Sequence, residues 1–220
     1  MRNSLKRILV VLLAAPLARG STCAGDQLYA QAQAAGCTSI DGDLVIVNVA
    51  TSSLAPLSTL ASISGSLHIV SNAGLTSLAG LEGLTSIGGE LQIVDNLALT
   101  SLTGLSALTT IGGRLRISSN AVLGTLAGVP ALATVGGDLK FEDNSALARL
   151  DGLEGLRSVG GQLYIVDNPA LSSFDALSAL TIGNGLYVHR NDALPKAQAR
   201  GPRVCLPFGP YGEESLLITP

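Results

Sequence analysis

The chain has 220 residues, of which 26 are glycine, 13% are charged, 3% are aromatic and none is tryptophan. Leu, Ile, Val and Ala recur along its whole length, which excludes a disordered chain, and they are dispersed rather than gathered into one long run, which argues against a membrane-spanning protein. The formal net charge of −3 at pH 7 makes nucleic acid and anionic membrane surfaces poor partners.

The N-terminus reads as a leader. MRNSLKR is basic, ILVVLLAAPLA is an apolar run too short for the ~20 residues that span a bilayer, and Ala18-Arg19-Gly20 places small residues where a signal peptidase reads. Residues 1–20 are therefore expected to be a secretory signal peptide cleaved after Gly20, which directs the chain to the periplasm, the cell surface or the medium. Its removal takes away Arg2, Lys6, Arg7 and Arg19 and no acidic residue, so nine Lys and Arg face sixteen Asp and Glu, a net charge of −7.

Three cysteines follow. In an exported chain the close pair Cys23 and Cys37 is expected to form a disulfide worth ~3 kcal/mol in the chain-entropy model. Cys205 is left without an evident mate and is a candidate for pairing with another chain. A competing reading makes Cys23 the lipid-modified first residue of a lipoprotein. Gly20-Ser21-Thr22 fits that poorly, because a bulky apolar residue is expected three positions before the cysteine.

From Gly42 to Leu194 the sequence repeats. Asn72, Asn96, Asn120, Asn144 and Asn168 are 24 residues apart, and Asn191 follows 23 later. One unit reads GGELQIVDNLALTSLTGLSALTTI, from Gly88 to Ile111. A period of this size marks a stacked array in which each unit buries its apolar face against its neighbours. Leu91 and Ile93 alternate with Gln92 and Val94, a strand period. Leu99, Leu102, Leu105, Leu108 and Ile111 then recur every three residues. Three residues advance an α-helix by ~300°, so this series drifts off any helical face and suits flat turns, short extended pieces and 3₁₀ turns. Glycine holds two fixed columns, Gly80, Gly104, Gly128 and Gly152 in one and the pairs from Gly88-Gly89 to Gly160-Gly161 in the other. Both read as corners that need positive φ or close backbone approach. The expected fold is mainly β, a parallel solenoid of about 24-residue coils stacked ~4.8 Å apart. The Leu and Ile columns fill its interior. The Asn column (Asn72, Asn96, Asn120, Asn144, Asn168, Asn191) points inward as a structural ladder, because the amide can serve both the turn and the stacked neighbour.

Candidate chemistry is sparse. His68 and His189 are far apart, no Ser-His-Asp spacing appears, and Cys and His are too few for a structural zinc site. The Gly-Gly pairs precede strands, whereas a phosphate loop follows one and opens a helix. No cofactor, metal or catalytic residue is therefore expected. Asp95, Asp143 and Asp167 precede ladder asparagines and form the one acidic constellation; since they alternate with Ser71 and Ser119, the simpler reading is that both residue types accept turn hydrogen bonds. The outward strand positions vary most. One row runs Val45, His68, Gln92, Arg116, Lys140, Tyr164, Tyr187, and the next runs Val47, Val70, Val94, Ser118, Glu142, Val166, His189. Tyr164, Tyr187 and His189, with Arg116 and Lys140 at the middle, are the candidate binding residues; the alternative is a solvated sheet whose residues serve strand pairing.

The pattern L-x-[IF]-x-x-[DS]-N followed by L-x-x-L-x-G-L-x-x-L-x-x-[IV]-G-G resembles the receptor L domain, a relative of the leucine-rich repeat found in the ligand-binding lobes of insulin and EGF receptors, in fungal cell-wall glycoproteins and in exported bacterial proteins. The resemblance covers about Cys23 to Pro195. It implies a right-handed parallel β-helix over 42–194, with a Cys-bound helical cap over 21–41 made by CAGDQLYAQAQAAGC, capped by Asp26 and ended by Gly36. Residues 195–220 depart from the family and read as an irregular Pro-rich tail.

The resemblance implies an exported or cell-surface, non-catalytic binding or structural module whose partner is a protein or glycan of the cell envelope. The lack of any N-x-[ST] sequon fits a bacterial or otherwise unglycosylated surface protein. The alternative is a carbohydrate-active enzyme of the polysaccharide-lyase kind, using Asp143 and Asp167 on adjacent coils with calcium and an Arg base. A more remote one is ice binding through Thr76, Thr100, Thr85 and Thr109, a face that Arg149 and Arg157 interrupt.

Overall fold

The computed structural model describes residues 22–195 and 216–219. The signal peptide expected over 1–20, its cleavage after Gly20, Cys205 and most of the segment after Pro195 lie outside the described residues.

Two parallel sheets run the length of a single solenoid. The longer strands form a nine-stranded sheet from β2 (Gln27–Leu28) through β4 (Leu44–Val47), β6 (Leu67–Val70), β8 (Leu91–Val94), β10 (Leu115–Ser118), β12 (Leu139–Glu142), β14 (Leu163–Val166) and β16 (Leu186–His189) to β17 (Leu216–Thr219). Short strands form an eight-stranded sheet: β1 (Thr22–Ala24), β3 (Ser39–Asp41), β5 (Ser62–Ile63), β7 (Ser86–Ile87), β9 (Thr110–Ile111), β11 (Thr134–Val135), β13 (Ser158–Val159) and β15 (Thr181–Ile182). Each coil places like residue on like: Leu91 pairs with Leu115, and Leu115 with Leu139. The expected mainly β solenoid is thus present. Within the stretch read as an irregular tail, Leu216–Thr219 adds a strand parallel to β16.

The alternation in each long strand sorts its side chains. Leu91 and Ile93 are buried while Gln92 and Val94 are half-exposed. On the third side, Leu105 donates its N–H to the Leu102 carbonyl (3.2 Å) and Leu108 to Leu105 (3.1 Å), so tight turns return a leucine to the core every three residues. Two coils tighten this side into 3₁₀ turns, at Ala55–Leu57 and Asp175–Leu177.

The two glycine columns do different work. Gly80, Gly104, Gly128 and Gly152 have φ of 113°, 120°, 124° and 107°, a region closed to most side chains. Gly88 and Gly112 lie instead against the coil before: a Cβ on Gly112 would stand 2.2 Å from the Gly88 carbonyl oxygen.

Asparagines 72 to 191 form a buried file. Asn96 donates through its backbone N–H (3.1 Å) and its Nδ2 (3.3 Å) to Oδ1 of Asn120, and its Nδ2 also reaches the carbonyls of Ile69 (2.9 Å) and Val94 (3.0 Å). The same pattern repeats from Asn120 to Asn191. At the N-terminal end Val49 replaces the amide, and its N–H donates to Asn72 Oδ1 (2.9 Å). The file begins where that coil ends it.

At the N-terminus, α1 (Tyr29–Ala35) packs over the first coil, and Cys23 is bonded to Cys37 with the Cα atoms 5.7 Å apart. Gly36 ends the helix at φ 60°, as expected. Asp26 does not cap it. Leu28 is the N-cap residue and its N–H is met by Gln31 Oε1 (2.9 Å), while Asp26 accepts from the backbone N–H of Asp43 (3.0 Å) and so ties the cap to the first coil. Both Cys23 and Cys37 are buried. A sulfur joined to Cys37 cannot also carry a lipid thioether, which removes the lipoprotein reading of Cys23.

Candidate functional site

The outer face of the nine-stranded sheet carries the two variable rows, held in register by the strands. Arg116 sits beside Lys140, Lys140 beside Tyr164 and Tyr164 beside Tyr187. The coil spacing stacks the two tyrosine rings with centroids 4.8 Å apart and planes 9° from parallel. Lys140 Nζ stands 3.8 Å from the centre of the Tyr164 ring and 3.7 Å from Asp138 Oδ2. The result is a column of cation, ring and ring, tied at its outer edge by Gln162: the Tyr164 hydroxyl donates to Gln162 Oε1, and Gln162 Nε2 donates to the Tyr187 hydroxyl at 3.4 Å. Burial first, then the negative charge of Asp138, the neighbouring Tyr187 and Glu142, raises the Tyr164 pKa above its ordinary value. Each cause penalises a phenolate and favours the neutral phenol.

The five candidate binding residues do not all meet in one cluster. Lys140, Tyr164 and Tyr187 form the column. His189 lies in the next row, opposite Val166. Arg116 turns toward Glu142, with Nε 3.3 Å from Oε2 but out of hydrogen-bond alignment. The charges of the face are largely paired among themselves: Glu90 accepts from Gln92 (2.6 Å) and lies 3.5 Å from Arg114 and 4.0 Å from His68. Toward the N-terminus the face turns apolar, with Val47 and Leu28 exposed. One residue departs from the expected pattern. Ser118, read as a position of the outward row, is fully buried, and its hydroxyl has no hydrogen-bond partner.

The acidic constellation has a backbone cause. Asp95, Asp143 and Asp167 share φ of 57° with Ser71 and Ser119, and Asn48 and Arg190 occupy the same position at 53° and 51°. Asp and Asn tolerate this left-handed region better than most residues. The expected turn hydrogen bonds from the carboxylates are not what places them. Asp95 and Asp143 make no side-chain hydrogen bond among the described residues, and Asp167 pairs with Arg190. Asp143 and Asp167 line a shallow hollow with Ser145, Pro169, Arg190 and Asp192. Among the described residues no group of three or more His, Cys, Asp or Glu is placed to hold a metal ion.

The threonine columns are engaged by the fold. Thr76, Thr100, Thr85 and Thr109 each donate a hydroxyl to a carbonyl of the coil before, at 3.0 to 3.4 Å. A different hydroxyl row escaped the sequence reading: every strand of the eight-stranded sheet opens on an outward Ser or Thr, from Thr22 to Thr181. Its signal was the residue just before each core Ile or Val, and before Cys23 in the first strand, visible once those strands are recognised as two or three residues long.

No described helix is long and apolar enough to cross a membrane. No curated protein and no solved structure matches the chain significantly. The family model of the receptor L domain matches residues 36–126, and the coils beyond it repeat the same register to Asn191. The chain is therefore receptor L-domain-like, a coiled β-solenoid of that family's pattern.

Proposed function

We propose that the protein is an exported, non-catalytic binding module that engages a protein or glycan of the cell envelope through the outer face of its nine-stranded sheet. The observation that carries the reading is the column of Lys140, Tyr164 and Tyr187: two stacked aromatic rings and a cation held outward by backbone register. Aromatic residues with a polar tip concentrate binding energy because they bury much area while losing few rotamers. The receptor L-domain pattern over residues 36–126 supports a ligand-binding role, and the Cys23–Cys37 disulfide fits an oxidising compartment. His189 and Arg116 flank the column.

The test is adhesion of the purified chain to cell-envelope extract and to glycan surfaces. Tyr164→Ala and Tyr187→Ala are each expected to weaken adhesion by about tenfold or more, with no turnover of the bound material. Undiminished adhesion by both variants, or calcium-dependent cleavage of an acidic polysaccharide lost in Asp143→Ala, would overturn the reading in favour of the enzymatic alternative.

A further inference from the structure

Ser118 breaks the pattern of its row. Val47, Val70, Val94 and Val166 occupy the equivalent position in other coils, so a valine fits this surface. Ser118 is nevertheless fully buried with an unbonded Oγ. Two residues earlier on the same strand and face, Arg116 Nε is likewise buried and unbonded. The register explains the arrangement. Glu142 is the partner of Ser118 on β12, and Lys140 is the partner of Arg116. The contact between Arg116 and Glu142 therefore runs diagonally, beside Ser118. Glu142 Oε2 stands 3.3 Å from Arg116 Nε but out of hydrogen-bond alignment, and Ser118 Oγ has no hydrogen-bond partner. Unmet buried donors are unfavourable and rare in folded proteins.

What both donors lack is an acceptor oxygen. Arg116 is itself charged, and a charged acceptor is bound more strongly than a neutral one. We infer that Arg116 and Ser118 form a subsite for a carboxylate of the partner, with Glu142 as its displaceable placeholder. The inference rests on the outer sheet face being the binding surface. As the ligand carboxylate enters, the Glu142 side chain, already 25% exposed, moves into solvent. Arg116 Nε–H and Ser118 Oγ–H then donate to the incoming oxygens. Asp138 and Glu90, the other carboxylates of this face, are held by Lys140 and by Arg114 and Gln92.

The experiment is a titration of the full chain with sodium acetate, against sodium chloride at matched ionic strength, following the Arg116 Nε–H and Ser118 amide resonances. Acetate is expected to produce saturable shifts that chloride does not. Glu142→Gln should tighten acetate about tenfold by removing the competitor, and Ser118→Val should weaken it by a similar factor while the melting temperature holds or rises. Arg116→Gln should abolish the shift of Ser118. Equal shifts with chloride, or acetate affinity unchanged in both Ser118→Val and Arg116→Gln, would overturn the subsite. A glutamate-rich peptide and an oligogalacturonate, titrated in the same way, separate the two sources of the carboxylate. Either one binding more tightly than acetate supports the subsite, and neither doing so overturns its role in partner binding. Should the subsite fail while the tyrosine variants still lose adhesion, the binding face stands without it. Acetate binding with undiminished adhesion by the tyrosine variants sinks the face reading alone.

Discussion

Asn120 shows how much one repeated letter carries. It accepts from Asn96 through Oδ1, donates to Asn144 Oδ1, and reaches the carbonyls of Ile93 (2.9 Å) and Ser118 (3.0 Å) through Nδ2. Alanine would orphan the Asn96 N–H in a dry interior at ~1–3 kcal/mol and strip a donor from the carbonyls of Ile93 and Ser118, the latter still accepting from the Asp95 N–H (3.2 Å). Asn120→Ala is therefore expected to lower the unfolding free energy by about 3 kcal/mol or more in urea titrations. Asn191→Ala should do less, because its site is 9% exposed where Asn120 is fully buried, and water can replace part of what is lost. The inward direction of this file was legible from sequence, since a 24-residue recurrence of one polar residue beside core positions is a stacking signature. The left-handed backbone of Asp95, Asp143 and Asp167 was not. Side-chain hydrogen bonding and positive φ select the same residue types, and only dihedral angles separate them.

At the scale of the element, glycine decides where each coil turns and how near it lies to the next. Gly112→Ala would place a methyl carbon 2.2 Å from the Gly88 carbonyl oxygen, a backbone atom that cannot yield without parting two coils. A loss of about 1–3 kcal/mol is expected in thermal or urea unfolding. Gly124 provides the contrast: the nearest atom to its Cβ would be Ala146 O at 3.8 Å, and its φ is not left-handed. Gly124→Ala should be neutral or stabilise by about 0.4–1 kcal/mol through the unfolded chain. Equal losses from the two substitutions would contradict the packing described. The sequence identified the Gly columns as corners but did not assign one to positive φ and the other to contact, because the same absent Cβ answers both needs.

Across the whole molecule, a solenoid is as secure as its ends. Each coil leans only on its neighbours, so fraying starts where a neighbour is missing. The Cys23–Cys37 bridge holds the cap over the first coil with a sequence separation of 14, worth ~3 kcal/mol in the chain-entropy model. Reduction, or the double change Cys23→Ser and Cys37→Ser, should lower the melting temperature and speed hydrogen exchange first at the Leu44 and Ile46 amides and last at the central coils. Uniform acceleration along the rod would show that the array unfolds as one unit instead.

The sequence by itself determined the period, the inward and outward rows, the ladder, the disulfide and the family likeness. All of these follow from like residues recurring at one spacing, and a stacked coil turns that spacing directly into neighbourhood. What only the tertiary structure decided lies in distances across coils. Tyr164 and Tyr187 stack with Lys140 beside them, while Arg116 turns away to Glu142 and Ser118 is buried. Register puts residues side by side, but the rotamers that bring them together, or let one cover another, depend on side-chain packing that a one-dimensional pattern does not encode.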